Sequence, residues 1–195
     1  IYISDNIADD IGIRDSMKLH AWKFDSHPVV VLLGYDTMIT QPIDHEIDLL
    51  LINEDLKGMY IKTPPDQESG KSGVDTGFLI IKPNTTEFDN ILNEYLNTPY
   101  DPQTGWDNKG HNMFEGGMGL PGFLSYYFEK DPGYVELDRC TFGHTVDEDC
   151  LGQIGFDICK ATKMYEQVCG KPRDCPYDDP SWSVVQRAAC EAMHR

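Results

Sequence analysis

The stretch "VVVLLGYDTMITQPID", Val29 to Asp44, reads as a buried strand that halts at a turn and resumes beyond it. Five apolar residues in a row, three of them β-branched, have no polar face to turn to water. Such a run suits a strand covered on both sides, as in an α/β sheet. The run ends at Gly34-Tyr35, and the next side chain is the carboxylate of Asp36. At the end of a strand a carboxylate has two uses. It can close an Asx turn on the amides of Thr37 and Met38, or it can emerge into the crevice where α/β sheets bind ligands. In the crevice it can hold a divalent cation that neutralises a diphosphate.

Working outward, residues 12 to 24 carry Ile13, Met17, Ala21 and Phe24 at helical spacing and predict a helix leading into the strand. On the far side, "DLLLINED" predicts a second short strand, and residues 63 to 73, "TPPDQESGKSG", a polar mobile loop. "VDTGFLIIKP" predicts a third strand, and "TTEFDNILNEYL" an amphipathic helix with a start signal at Asn84. Beyond Thr98 the pattern is loop-like until "FLSYYFEK", a short helix, and "GYVELD", a final strand. In that helix Phe123, Tyr126, Tyr127 and Phe128 read as core rather than as a sugar-binding face. Strands alternating with helices predict an α/β fold with a mostly parallel sheet. The core is expected over residues 1–139, with a cysteine-rich segment over 140–195 packed on it.

The chain of 195 residues is long enough for one domain with a substantial core. Its formal net charge of −17 excludes nucleic acid and anionic membrane surfaces as expected partners, because phosphate would be repelled. No apolar run of about 18 residues exists to span a bilayer. All six cysteines, Cys140, Cys150, Cys159, Cys169, Cys175 and Cys190, fall in the last third. An even number in a Gly/Pro/Asp-rich tail reads as a disulfide framework, with fifteen pairings open. Zinc fits less well, since no Cys-x2-Cys pair occurs and His144 lacks a partner at finger spacing. Oxidised cysteines imply the secretory pathway, with an extracellular or cell-surface destination. Asn84-Thr85-Thr86 is a glycosylation acceptor there, and equally a helix cap. A secreted chain is expected to begin with a signal peptide, and since this one opens on Ile1, either the peptide has been removed or the true start lies upstream. The acidic clusters Asp147 to Cys150 and Asp174 to Asp179 lack EF-hand spacing and read as solvated loop charge.

"KLHAWKFDSHPVVVLLGYDTMITQPID" resembles the heart of glycosyltransferase family 8, the glycogenin and galactinol synthase group. Lys18, Leu19, His20 and Trp22 match its Lys-Leu-His-x-Trp element, and Asp36, Thr37, Ile43 and Asp44 its metal motif and the Ile-Asp that follows. "VDTGFLIIKPNTTEFDNIL" is similar to the family's Asn-Ser-Gly strand and next helix, "GFLSYYF" to the end of its Asp-Gln-Gly motif, and "CGKP" to its closing Lys-Pro. The resemblance implies a GT-A fold that binds a UDP-sugar with manganese and transfers the sugar with retention. By the same resemblance Asp36 is a metal ligand, Lys18, Gly77 and Lys171 contact the donor, and Asp75 and Thr76 stand at the donor sugar as candidate catalytic residues.

The departures from the family pattern fall on the chemistry. Gly34 replaces the first metal-binding Asp, and Tyr165 stands where the family has a histidine ligand. Asp75 replaces an amide, which removes a hydrogen-bond donor. Leu120-Pro121 replaces Asp-Gln, Arg173 replaces a Trp, and the strand-helix unit that grips uridine in the family is not found before Lys18. The expectation is a catalytically degenerate unit needing no cofactor, with other protein subunits or glycans as its partners. The alternative is an active transferase of the Golgi lumen using UDP-sugar and manganese in a rearranged site, with Asp75 and His144 or His111 helping Asp36. An aspartic protease is a third reading of "DTG", but the second such tripeptide and an all-β pattern are missing.

Overall fold

The computed structural model describes residues 15–34, 37–39, 41–66, 70–110, 117–142 and 161–163. Its centre is a four-stranded sheet made by β1 (Val30–Leu33), β3 (Gly58–Lys62), β4 (Val74–Ile81) and β7 (Tyr134–Glu136), in the order β1-β4-β3-β7. Two two-stranded sheets accompany it: β2 (Thr37–Ile39) with β8 (Ala161–Lys163), and β5 (Tyr100–Asp101) with β6 (Gly105–Trp106).

β3 and β4 have the two-sided burial that an apolar run announces, whereas in β1, expected to be fully buried, Val30 to Leu32 are partly buried and Leu33 is exposed, because β1 is an edge strand of this sheet among the described residues. On one face lie Val30, Leu32, Tyr60, Leu79 and Ile81. On the other lie Val29, Val31, Met59, Ile61, Phe78 and Ile80. Successive strand residues point to opposite faces, so covering both faces makes every position apolar. All eight residues of β4 are buried. Each large side chain fully buried in this way contributes about 1.5–3 kcal/mol.

The mostly parallel arrangement needs correction. β3 and β7 pair in parallel, but β4 pairs antiparallel with both β1 and β3. β1, β3 and β7 therefore run one way, and β4 lies reversed between two of them. The reason is the connection: residues 63–73 return the chain from β3 to β4 without a crossover helix, which an antiparallel neighbour permits and a parallel one does not.

The first face is covered by a 3-10 helix (Met17–Lys23), α2 (Thr85–Asn97) and α3 (Leu120–Lys130). Where it is described, the predicted helix over 12–24 is α-helical at Asp15 and Ser16 and 3-10 over Met17–Lys23. Its buried large residues are Leu19 and Trp22, three apart, whereas Met17 and Phe24 are exposed. A helix with three residues per turn presents every third residue inward, so of the described residues in the face read at a period of 3.6 only Ala21 packs. In α2, Glu87, Phe88, Ile91 and Tyr95 face inward as the amphipathic pattern requires. Its N-terminus is capped by Asn84, whose Oδ1 accepts the Glu87 amide at 3.0 Å.

The second face is covered by α1 (Asp44–Ile52) and the short α4 (Arg139–Phe142). "DLLLINED" is therefore the end of a helix, not a strand. Its leucines are good helix formers, and Asp44 and Glu46 in the first turn favour the positive helix terminus. Leu50 is fully buried, while Leu49, Leu51 and Ile52 are exposed.

A buried polar cluster joins the elements of the first face. Glu87 Oε1 accepts from the hydroxyls of Tyr127 and Tyr134, each at 3.1 Å, and Oε2 accepts from Lys57 Nζ at 3.0 Å. Trp22 Nε1 donates to Tyr134 Oη at 3.1 Å, and Lys57 Nζ also meets Asp131 Oδ2 at 2.6 Å. Burial pushes the Tyr134 and Tyr127 phenols well above the usual range, and the Glu87 carboxylate pushes them further. Burial pulls the Lys57 ammonium down, but Asp131 and Glu87 outweigh it, so its pKa stands above the ordinary lysine value.

Candidate functional site

The register Leu33↔Phe78 brings the end of β1 beside the first half of β4. There the Gly34 amide donates to Gly77 O at 2.8 Å, and the Thr37 amide donates to Gly34 O at 3.0 Å. Asp75 and Thr76, the residues just ahead of Gly77, are buried. Polar side chains in that setting must be satisfied. Asp75 Oδ1 accepts the Gly77 amide at 2.8 Å, which folds the carboxylate back on its own strand. Thr76 Oγ1 accepts from Lys18 Nζ at 3.0 Å and donates to Asp15 Oδ2 at 3.3 Å.

Lys18 reaches this place because the 3-10 helix lies over the sheet, fixed by the burial of Leu19 and Trp22 on either side of His20 and Ala21. Its ammonium is held by Asp15 Oδ1 at 2.6 Å. One turn away, Ser16 Oγ lies 3.3 Å from Tyr95 Oη and ties the same segment to α2. Four of the residues singled out in the sequence, Lys18, Asp75, Thr76 and Gly77, thus stand together at one end of β4. Asp15 was missed. Its signal was the Asp15/Lys18 spacing, at which opposite charges meet along a helix.

Other expectations fall differently. Leu120 opens α3 with no exposure at all, inside the aromatic core, and Pro121 occupies the first turn. A Cβ on the next residue, Gly122, would stand 1.8 Å from Gly117 O, so this helix start is pressed against the preceding backbone. Trp106 Nε1 donates to that same carbonyl at 2.9 Å. Phe123, Tyr126, Tyr127 and Phe128 are all buried, as read from the sequence. Asn84 is exposed, and its side chain is in use as a cap.

Asp36, Lys171, Tyr165, Arg173, His111 and His144 lie outside the described residues, as do Cys150, Cys159, Cys169, Cys175 and Cys190 and the two acidic clusters. Cys140 is described for its backbone, within α4. Among the described residues no cluster of three His, Cys, Asp or Glu side chains could hold a metal ion. The described donors do not by themselves fit manganese: Gly34 offers backbone where the family has a carboxylate, Asp75 bonds an amide, and Asp15 holds a lysine. Nor, among the described residues, is any helix long and apolar enough to cross a membrane.

No protein-family model and no curated protein matches the chain. Solved structures do. The glycosyltransferase GlyE of Streptococcus pneumoniae TIGR4 aligns with a TM-score of 0.51 at 13% identity, over 91% of this chain and 42% of GlyE. Its apo form aligns at 0.52 and 14% identity, over 92% and 42%. A glycosyltransferase involved in glycosylation of the major capsid of PBCV-1 aligns at 0.47 and 17% identity, over 82% of this chain and 75% of that one. The two GlyE structures carry the conclusion that the chain has a glycosyltransferase-like fold. It spans less than half the length of GlyE.

Proposed function

We propose that the chain is a glycosyltransferase family 8-like domain that has lost catalysis and serves as a structural or glycan-contacting unit of a secreted or cell-surface assembly. Fold outlives function, so the reading rests on the site rather than on the likeness. The observation that carries it is Leu120. Where the family pattern has an acid and an amide on the floor of the site, this chain has a side chain with no exposure, committed to the core, followed by Pro121. Two further features point the same way. Gly34 has no carboxylate to give a metal, and Lys18 already has Asp15 and Thr76 as partners. A diphosphate would have to displace Asp15 to use that ammonium.

One observation favours the alternative of an active, retaining UDP-sugar transferase: Lys18, Asp75, Thr76 and Gly77 converge on one strand end. Calorimetric titration of the protein with UDP, with and without manganese, separates the two readings. The degenerate domain gives no manganese-dependent heat at millimolar UDP and no turnover of UDP-sugars. Manganese-dependent binding that vanishes in Asp36→Asn, or hydrolysis of any UDP-sugar, establishes the active reading instead.

A further inference from the structure

On the flank of the first face, a cleft of about 560 Å³ opens between α2, α3 and the segment leading from Thr98 to Asp107. Its volume lies in the range of small-ligand sites, about 300–1,000 Å³. None of the residues at the β4 end contributes to it. One wall is a ladder of amides: Asn90, Asn93 and Asn97 stand three and seven residues along α2, on a single helix face. Glu94, Thr98, Pro99, Asp107, Tyr126 and Tyr127 complete the lining.

The hydrogen bonding within the ladder defines what it offers. Asn97 Nδ2 donates to Asn93 O at 2.7 Å and to Asn93 Oδ1 at 3.0 Å. That leaves Asn93 Nδ2 as a donor and Asn97 Oδ1 as an acceptor, beside the Asn90 amide, which can do both. Glu94, on the same wall, is held by Lys130 Nζ and by the Tyr126 hydroxyl at 3.1 Å. No lysine or arginine is itself a lining residue, and of the two carboxylates there Glu94 is offset by Lys130, which leaves Asp107 to disfavour phosphate, sulfate and carboxylate ligands. Neutral amides in mixed donor and acceptor roles match hydroxyl groups, which are themselves both.

We propose that this cleft binds a neutral oligosaccharide. The assignment gives a location to the glycan-contacting role above, and rests on that role for its occupant and on the cleft alone for its chemistry.

The test is saturation-transfer NMR on the full chain with maltotetraose, chitotriose and mannotriose at millimolar concentration, beside a sulfated heparin tetrasaccharide and tetraglycine. At least one neutral sugar is expected to receive saturation, and the sulfated one is not. The isosteric double variant Asn90→Asp/Asn93→Asp removes amide donors from an exposed surface without changing shape. It is expected to weaken binding roughly tenfold, while Ile52→Ala, at an exposed position of α1, leaves binding unchanged. Transfer to no neutral sugar, transfer to tetraglycine alone, or sugar binding that survives the double variant overturns the cleft assignment. Sugar binding lost in Lys18→Ala and kept in the double variant moves the glycan site to the β4 end, leaving a glycan-contacting role intact. UDP-sugar turnover with cleft binding intact overturns the degenerate reading and leaves the cleft standing.

Discussion

The two faces of the central sheet are held in different ways. The first carries Trp22, Phe88, Tyr95, Trp106 and Phe123 together with the Glu87 cluster, in which carboxylate, phenols, indole and ammonium satisfy one another. The second is covered by a nine-residue helix with one fully buried leucine, by Ile43 and by Phe142. The first face is over-determined: ring contacts, hydrogen bonds and an ion pair all fix the same positions of α2, α3 and β7. The second, as far as it is described, rests mainly on aliphatic packing and one ring contact, Phe78 with Phe142. The Lys18–Thr76 end is attached to the first face through the 3-10 helix, so changes in its chemistry leave the scaffold in place. On the reading proposed above, that is how a glycosyltransferase-like fold would persist with Gly34 in place of a metal-binding acid.

The contrast can be broken most strongly at Trp22. Trp22→Ala removes a fully buried ring and the donor to Tyr134, and is expected to cost about 4 kcal/mol in urea unfolding. Glu87→Ala leaves two buried phenols without their acceptor and Lys57 with Asp131 as its remaining partner, and is expected to cost about 3 kcal/mol in the same assay. On the second face Leu50→Ala is expected to cost about 2 kcal/mol, at the low end for such a change, because the exposed neighbours Leu49 and Leu51 let α1 settle into the space. A cost above that of Trp22→Ala would reverse the ranking of the two faces.

Much of this was legible in the sequence, and the failures have physical causes. The apolar runs of β1 and β4 announced strands, fully buried in β4 and half-buried in β1, and Asn84 announced the start of α2, because burial and capping leave marks on local sequence. Strand direction leaves no such mark, so the reversal of β4 was invisible to periodicity. "DLLLI" satisfies a short strand and a helix stripe equally, and its surroundings decided for the helix. Within the site, Lys18, Asp75, Thr76 and Gly77 were found through the resemblance to a family. Asp15 carried no motif and emerged as the partner of Lys18 from coordinates alone.

Two smaller effects sharpen the comparison. Asn84→Ala removes the α2 cap and is expected to cost about 1 kcal/mol, lowering the melting temperature by a few degrees. The last effect is one of slope. Tyr127, Tyr134 and Lys57 all hold their protons more tightly when folded. Their contribution is therefore complete below the unfolded-state values, about pH 10, and is lost as pH rises beyond them. Thermal melts from pH 8 to 11 should fall away above pH ~10, and Tyr134→Phe should flatten that fall. An unchanged slope would mean that the cluster does not titrate with folding.

The reversed placement of β4 has a consequence during synthesis. β1 is made before the other three strands of its sheet, yet among the described strands its neighbour is β4, which ends at Ile81. The Val30–Leu33 run must wait while residues 34–81 are added, a few seconds at ordinary ribosome speeds. β3 meets β4 much sooner across residues 63–73 and forms the first stable edge. The segment that decides the fold on paper thus spends the synthesis of nearly fifty further residues as an unpaired apolar run, and is secured only when β4 arrives, ahead of β7.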